Sequence, residues 1–164
     1  MNELTIRFAT AADAATLHRF ICDLAAYERQ PDAVEVTVET LGEQLAQARP
    51  PFECLLAEQD EQPLGFALFF PNYSTWQGKP GIYLEDLFVH SDHRRRGVGL
   101  ALMSYLSRIA IERGCARLEW AVLDWNEPSL AFFESLGAQG MDAWRLIRLT
   151  AAPLVQLSTA HPRA

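Results

Sequence analysis

Apolar residues recur along this chain with two periods, one typical of strands and one typical of helices. Over Leu4–Phe8 every second residue is apolar, which predicts a short strand. Between Leu17 and Leu24 the apolar residues lie three and four positions apart, as in a helix with one buried face. We expect this helix to begin at Thr10, whose hydroxyl can accept from a free backbone N–H, and to end near Glu28.

The same two periods continue to the C-terminus, and Pro and Gly residues separate the segments. The further predictions are a helix over 38–48, strands over 52–58, 64–70 and 82–89, a helix from 97 to about 113, a strand over 117–122, a helix over 128–136 and a final strand over 144–149. Residues 72–81 are predicted to form a loop that covers a site. This pattern indicates one α/β domain with a mixed sheet over residues 1–153, followed by a flexible tail over 154–164.

The amino-acid composition limits the kinds of ligand and partner that we expect this protein to bind. The formal net charge is -7, which argues against a surface for nucleic acid or anionic lipid and fits a cationic ligand. The 3 cysteines and 4 histidines have no metal-binding spacing, so we expect neither a metal site nor a disulfide framework. The N-terminus lacks a basic start followed by an apolar core, and no apolar run approaches a membrane span. We therefore expect a cytoplasmic protein.

The turn after the predicted strand 82–89 carries the most chemical information. Three arginines, Arg94–Arg96, precede Gly97, Gly99 and an apolar helix. Glycines allow a ligand to approach the backbone, and the first N–H groups of a helix carry a partial positive charge, so this turn is predicted to hold a pyrophosphate. Leu102 breaks the dinucleotide motif Gly-x-Gly-x-x-Gly, and no Gly-Lys-Ser/Thr follows, which argues against a P-loop.

What remains is Arg-x-x-Gly-x-Gly, which resembles the coenzyme A motif of the GNAT acetyltransferases. Nearly the whole chain is similar to the spermidine/spermine (diamine) and thialysine members of that family. The matching segments are Ile6-Arg7, Ala9–Asp13, Leu24-Ala25, Tyr27-Glu28, Trp76 with Gly78-Lys79, Tyr83–Asp86, Ser91-Asp92, Trp125–Ser129 and Trp144–Leu146. The resemblance implies the GNAT fold: a mixed, mostly antiparallel sheet flanked by helices, whose splayed central strands hold the acetyl-CoA thioester. It also implies a homodimer whose sites take residues from both chains.

The resemblance further implies acetyl-CoA as co-substrate, a small primary amine as acceptor and no metal. The positions it assigns to acetyl-CoA are Leu87, Phe88, Val89, Arg94, Arg95, Arg96, Gly97, Val98, Gly99, Leu100, Asn126, Glu127, Pro128, Ser129 and Phe133. The positions it assigns to the amine are Tyr27, Glu28, Trp76, Glu85, Asp86 and Asp142. Two of these have an alternative reading, since Asn126 can simply cap the helix that starts beside it and Trp76 can pack in a core.

The amine must lose a proton before it attacks, because an alkyl ammonium has a pKa near 10.4. The resemblance implies Glu85 as the base, although a strand-end carboxylate can also be purely structural. Asp86 follows Glu85 directly, so on a regular strand the two side chains point to opposite faces and do not form a close pair.

Two positions depart from the family pattern. Relatives carry a tyrosine at the position of Phe133 that protonates the departing thiolate, and polyamine-acting relatives carry an aspartate at the position of Ser74. The main hypothesis is a small-amine acetyltransferase acting in a ternary complex. The alternatives are a coenzyme-A-binding module with weakened or regulatory function, and an acetyltransferase of protein amines.

Overall fold

The computed structural model describes residues 3–160. Their contacts divide into two compact units, and the boundary falls between Leu123 and Asp124. Within the described residues, no helix is long and apolar enough to cross a membrane.

The first unit is built on a five-stranded sheet of order β1-β2-β3-β4-β5. The strands are β1 Leu4–Phe8, β2 Glu53–Gln59, β3 Gln62–Ser74, β4 Lys79–Val89 and β5 Leu118–Glu119. The first four pair antiparallel, and β5 pairs parallel to β4. The predicted mixed, mostly antiparallel sheet is therefore confirmed, although β5 is much shorter than the strand predicted over 117–122.

Three helices flank this sheet: α1 Ala14–Tyr27, α2 Val38–Leu45 and α3 Val98–Glu112. A short 3-10 turn over Ala11–Asp13 leads into α1, where the Asp13 carboxylate accepts from the Thr10 backbone N–H at 2.7 Å. The helix predicted to begin at Thr10 thus starts with this turn, and α2 ends earlier than the predicted residue 48.

Buried side chains fill both faces of the sheet. On one face α1 and α2 pack against alternate residues of β2, β3 and β4, and Phe20, Phe66 and Phe88 form a cluster of rings 5.7–6.5 Å apart. The intervening strand residues are also buried, and α3 contributes a buried face that includes Leu102 and Leu106, both fully inaccessible. The first unit is thus a sheet between two helical layers.

An ion-pair network ties β1 and β2 to the start of α1. Arg7 on β1 reaches the Glu58 carboxylate on β2 at 2.6 Å and the Asp13 carboxylate at 2.8 Å. Bidentate pairs of this kind are among the stronger charged interactions. The guanidinium lowers the pKa of Asp13 to about 2, mainly through its hydrogen bonds.

The loop predicted over residues 72–81 is wrong. β3 continues to Ser74 and β4 begins at Lys79, so these residues pair as a hairpin whose turn is residues 75–78. Pro71, Asn72, Pro80 and Gly81 suggest a loop locally, but the cross-strand pairing Asn72↔Gly81 continues the ladder past them. The hairpin extends the two strands beyond the rest of the sheet.

The second unit contains α4 Glu127–Ser135 and α5 Ala151–Thr159. The final strand predicted over 144–149 is wrong: these residues have no regular structure, and the side chains of Trp144, Leu146 and Ile147 are 66%, 72% and 85% exposed. An alternating pattern becomes a strand only when a neighbouring strand completes its hydrogen bonds. Residues 154–159 of the tail expected to be flexible continue helix α5, and the part of that tail from 161 onward lies outside the described residues.

Candidate active site

The C-terminal end of α1 presents two of the predicted amine-binding residues. Gln30 N–H donates to Ala25 O, and Arg29 N–H donates to Ala26 O, which closes the helix with Arg29 in the left-handed conformation at φ 63°. This end geometry fixes Glu28 as the last residue before the chain turns away. Tyr27 and Glu28 are both half-buried, and burial raises the pKa of Glu28.

A β-bulge interrupts β4 at the predicted catalytic glutamate. Leu84 pairs with Phe69 and Asp86 pairs with Leu68, so Glu85 is the extra residue. Leu84 and Asp86, although two apart, therefore lie on opposite faces of the sheet. The expectation that Glu85 and Asp86 point away from each other assumed a regular strand, and the bulge removes that assumption.

The bulge brings three carboxylates into one electrostatic field. Burial raises the pKa of Asp86 to about 7, and the negative charges of Glu85 and Glu28 add to the rise. Asp86 is half-buried on the face that carries α1, whereas Glu85 is exposed. A group of acidic side chains that is partly shielded from water favours a cation over a neutral or anionic ligand.

The second half of β4 is open on its β5 side. Within the described residues, β4 pairs with β5 only at Ile82 and Tyr83. Apart from Val89 O, which accepts from Arg94 Nε, the backbone groups of 84–89 on that side have no partner among the described strands and are available to a ligand, as the splayed central strands of the predicted fold require. Leu87 and Val89, predicted to contact the acetyl and pantetheine groups, lie in this open stretch.

The loop between β4 and α3 has the conformation of a phosphate-binding turn. Arg95 and Gly97 have positive φ, at 59° and 80°, and Gly97 is the N-cap of α3. Backbone N–H groups around such positions converge on an anion, and the helix N-terminus adds a partial positive charge. A Cβ on Gly97 would meet nothing within 4 Å, so the left-handed φ, and not close contact, accounts for glycine there.

Arg94 has a contact that its place in the motif does not indicate. Its Nε donates to Val89 O at 2.9 Å, and its guanidinium carbon lies 4.9 Å from the centre of the Tyr27 ring and 5.8 Å from that of Phe88. The structure thus joins a predicted cofactor residue to a predicted amine residue. The spacing of sequence motifs contains no signal for such a contact, because it depends on the packing of α1 against β4.

Trp76 does not join this group in the first unit. It lies in the turn of the β3–β4 hairpin and is 90% exposed, which excludes the core-packing alternative. Ser74, at the position where polyamine-acting relatives carry an aspartate, is buried and its hydroxyl accepts from Gln77 N–H at 3.3 Å. Ser74 therefore shapes the turn that carries Trp76.

The other predicted cofactor residues lie in the second unit. Asn126 Oδ1 accepts from Ser129 N–H at 3.4 Å and caps α4, with Glu127 and Pro128 in its first turn. The structure therefore shows the alternative role of Asn126, in which its side chain caps α4. Phe133 is half-buried with its ring 5.3 Å from that of Phe132.

Asp142, the last predicted amine-binding residue, is exposed in the second unit. Within residues 3–160 no cluster of three or more His, Cys, Asp or Glu side chains could hold a metal ion. A cleft of about 410 Å³ opens elsewhere in the first unit, and it contains none of the predicted site residues; its lining is Phe8, Ala9, Leu45, Pro50, Pro51, Phe52, Glu53, Cys54 and Pro71.

Comparison with known families decides the class of protein. The sequence model of the Acetyltransferase (GNAT) family matches residues 17–138, which is most of the chain and includes the carboxylates, the loop and α4. The chain belongs to the GNAT acetyltransferase family. GNAT acetyltransferases use acetyl-CoA, and the open half of β4 and the loop before α3 fit such a ligand.

Individual relatives agree with this membership. This GNAT acetyltransferase is 32% identical to the thialysine N-epsilon-acetyltransferase of Bos taurus over 96% of its own length and 99% of the relative's. It is 30% identical to an L-ornithine N5-acetyltransferase of Arabidopsis thaliana over 88% and 83% of the two chains. The structure of an integron cassette protein from V. cholerae matches with a TM-score of 0.80 and 25% identity, over 96% of this chain and 98% of that chain.

Proposed function

We propose that this GNAT acetyltransferase moves the acetyl group of acetyl-CoA to the primary amine of a small cationic molecule. The acceptor class is a diamine, a polyamine or an amino acid with an amine side chain, such as thialysine. The observation that carries the proposal is the group of Glu28, Glu85 and Asp86 beside the open half of β4. The relatives acting on thialysine and ornithine support the same acceptor class.

Acetyl-CoA would bind along β4 and the loop that follows it. The backbone around Arg95 and Gly97 and the N-terminus of α3 suit the pyrophosphate. No described strand pairs with Leu87 and Val89 on the β5 side, and the backbone there, apart from Val89 O, which accepts from Arg94 Nε, suits the pantetheine arm and the thioester oxygen. A fixed N–H donor at that oxygen is usually a large part of the rate enhancement. The resemblance also assigns Asn126–Ser129 to acetyl-CoA, and within the second unit these residues form the capped start of α4.

The amine would attack directly in a ternary complex. Its nitrogen lone pair forms the new C–N bond at the thioester carbon, the C–S bond breaks, and the sulfur leaves as thiolate. Glu85, which is exposed at the bulge, would take one proton from the ammonium before the attack, directly or through water. The second proton would leave the nitrogen to water once the C–N bond has formed, and the thiolate would be protonated from solvent. Asp86 and Glu28 would hold the cation through charge.

The leaving thiolate has no tyrosine at position 133 to protonate it. Phenylalanine has no proton to give, so Phe133 cannot serve as that acid. A thiol titrates near 8.5, so the thiolate is a tolerable leaving group without an acid. We expect transfer that is slower than with a tyrosine, and Phe133→Tyr should accelerate it.

The active form is proposed to be a homodimer. Trp76 is an aromatic residue assigned to the amine, yet it projects into solvent from the hairpin. The second unit also exposes many apolar side chains, namely Met141, Trp144, Leu146, Ile147, Leu154, Val155 and Leu157. An exposed apolar surface of this extent is typical of an interface. Sedimentation velocity should find twice the chain mass, and a monomer at micromolar concentration would contradict this part.

A second candidate function is a coenzyme-A-binding module without turnover, which Phe133 favours. One experiment separates the two: release of free thiol from acetyl-CoA, measured across diamines, polyamines, thialysine, ornithine and lysine. We expect turnover with at least one amine, a large loss in Glu85→Gln and wild-type rates in Glu43→Gln, an exposed glutamate on α2. Tight binding of coenzyme A with no thiol release on any amine would favour the binding module.

A further inference from the structure

Arg94 connects three parts of the first unit that the proposed reaction uses. Its backbone belongs to the loop assigned to the pyrophosphate. Its Nε is anchored on Val89 O at 2.9 Å, at the end of the strand assigned to the thioester. Its guanidinium covers the ring of Tyr27, the last residue of α1, at 4.9 Å.

The contact with Tyr27 is that of a cation on an aromatic face. A guanidinium within about 6 Å of a ring centre is attracted to it, and its planar shape favours stacking. Phe88 lies on the same guanidinium at 5.8 Å, so Arg94 bridges one ring on β4 and one on α1. The bridge fixes the end of α1 relative to the strand that carries Glu85 and Asp86.

Among the described residues, the terminal nitrogens of Arg94 have no competing partner. Among residues 3–160, no carboxylate lies within 4 Å of its guanidinium, and Nε makes its only side-chain hydrogen bond. The guanidinium can therefore keep the Tyr27 contact while a phosphate approaches its outer edge. Most of its positional freedom is already removed before a ligand binds.

We propose that Arg94 is a positioning residue for the amine: it holds Tyr27, and through it Glu28, against β4 and so sets the affinity for the acceptor. The inference rests on the proposed function and assigns Arg94 a role beyond the phosphate contact of its motif. Because the same side chain faces both ligands, bound acetyl-CoA strengthens amine binding, and by linkage the amine strengthens binding of acetyl-CoA by the same factor.

Steady-state kinetics test this with each substrate varied at saturating levels of the other. Arg94→Met keeps an apolar side chain over the rings but removes the cation and the Nε donor. We expect the KM for the amine to rise about twofold to thirtyfold, the range that loss of a cation–aromatic contact gives. Arg94→Lys restores part of the affinity because it keeps a cation at the ring.

Two control variants distinguish this positioning role from a general loss of positive charge and from a loss of folded protein. Arg96→Met removes a neighbouring loop arginine and should raise only the KM for acetyl-CoA. Arg19→Met removes an arginine that lies 5.3 Å over the Phe20 ring on the same helix α1, and should change neither KM. Thermal unfolding of each variant shows whether the fold is retained.

A double-mutant cycle with Tyr27→Leu makes the test independent of overall stability. In the Tyr27→Leu background, Arg94→Met should raise the amine KM by a much smaller factor than in the wild type. Two results overturn the inference while the proposed function stands: equal factors in both backgrounds, or a rise confined to the KM for acetyl-CoA. Absence of turnover by the wild type on every amine overturns the proposed function and this inference together.

Discussion

Asp86 is predicted to destabilise the folded protein at neutral pH. Its pKa rises from the ordinary 3.8 to about 7 on folding, because of burial and of the charges of Glu85 and Glu28. The unfolded chain therefore ionises Asp86 about 3 pH units earlier, and 1.36 kcal/mol per unit gives a penalty of about 4 kcal/mol once both states are ionised. The penalty is absent below the unfolded pKa and grows as pH rises from about 4 to about 7.

Asp86→Asn removes this penalty while keeping the size of the side chain. We expect the variant to be more stable than wild type by under about 1 kcal/mol at pH 4 and by about 4 kcal/mol at pH 8. Urea unfolding followed by tryptophan fluorescence at a series of pH values measures both free energies. Asp32→Asn, at an exposed aspartate, is the control and should show no such trend.

An equal stability difference at pH 4 and pH 8 would refute the reasoning, because a packing effect of the amide does not depend on pH. The same substitution should weaken binding of a cationic amine. A substitution that removes a partly buried charge from a binding site commonly stabilises the folded protein and weakens binding of the ligand.

Three further predictions concern glycine contacts, an ion pair and a buried thiol in the first unit. A Cβ on Gly65 would collide with Phe88 O, so Gly65→Ala should lower the unfolding free energy by about 3 kcal/mol. Gly42→Ala on α2, where the new Cβ would have an ordinary 3.6 Å contact, should raise it by about 0.5–1 kcal/mol. Urea unfolding that ranks the two variants in reverse would contradict the geometry. Arg7→Met should destabilise the protein by about 2 kcal/mol at pH 7 and by much less near pH 2, because the folded pKa of Asp13 is about 2; a loss independent of pH would exclude the ion pair as its cause. Burial raises the pKa of Cys54, so mass spectrometry after thiol labelling at pH 8 should find it unmodified unless urea is present.

The sequence predicts correctly those helices and strands in which the apolar residues of the periodic pattern are also the buried residues of the folded protein. The helix α1, the strands β1 and β2 and the loop before α3 lie close to their predicted places because burial of an apolar face and the backbone needs of a turn act locally. The motif at Arg94, Gly97 and Gly99 is such a local signal. Membership of the GNAT family, inferred from these residues, is confirmed.

The bulge at Glu85 and the contacts of Arg94 could not be predicted in the same way. A bulge is decided by the register in which two strands pair, here Leu68 with Asp86, and the local pattern of either strand does not indicate that register. The Arg94 contact exists because α1 packs against β4, and nothing in either segment alone encodes it. The hairpin over 72–81 was missed for a related reason, since its Pro and Gly residues suggest a loop until the partner strand is considered.

Chemical identification of the product tests the central claim most directly. The wild-type protein is incubated with acetyl-CoA and one amine at a time, and mass spectrometry measures the amine, its N-acetyl form and free coenzyme A. The account predicts an N-acetylated diamine, polyamine or amine side chain formed in equal amount to free coenzyme A, and loss of both in Glu85→Gln. Free coenzyme A without acetylated amine, or an unchanged yield in Glu85→Gln, would contradict it.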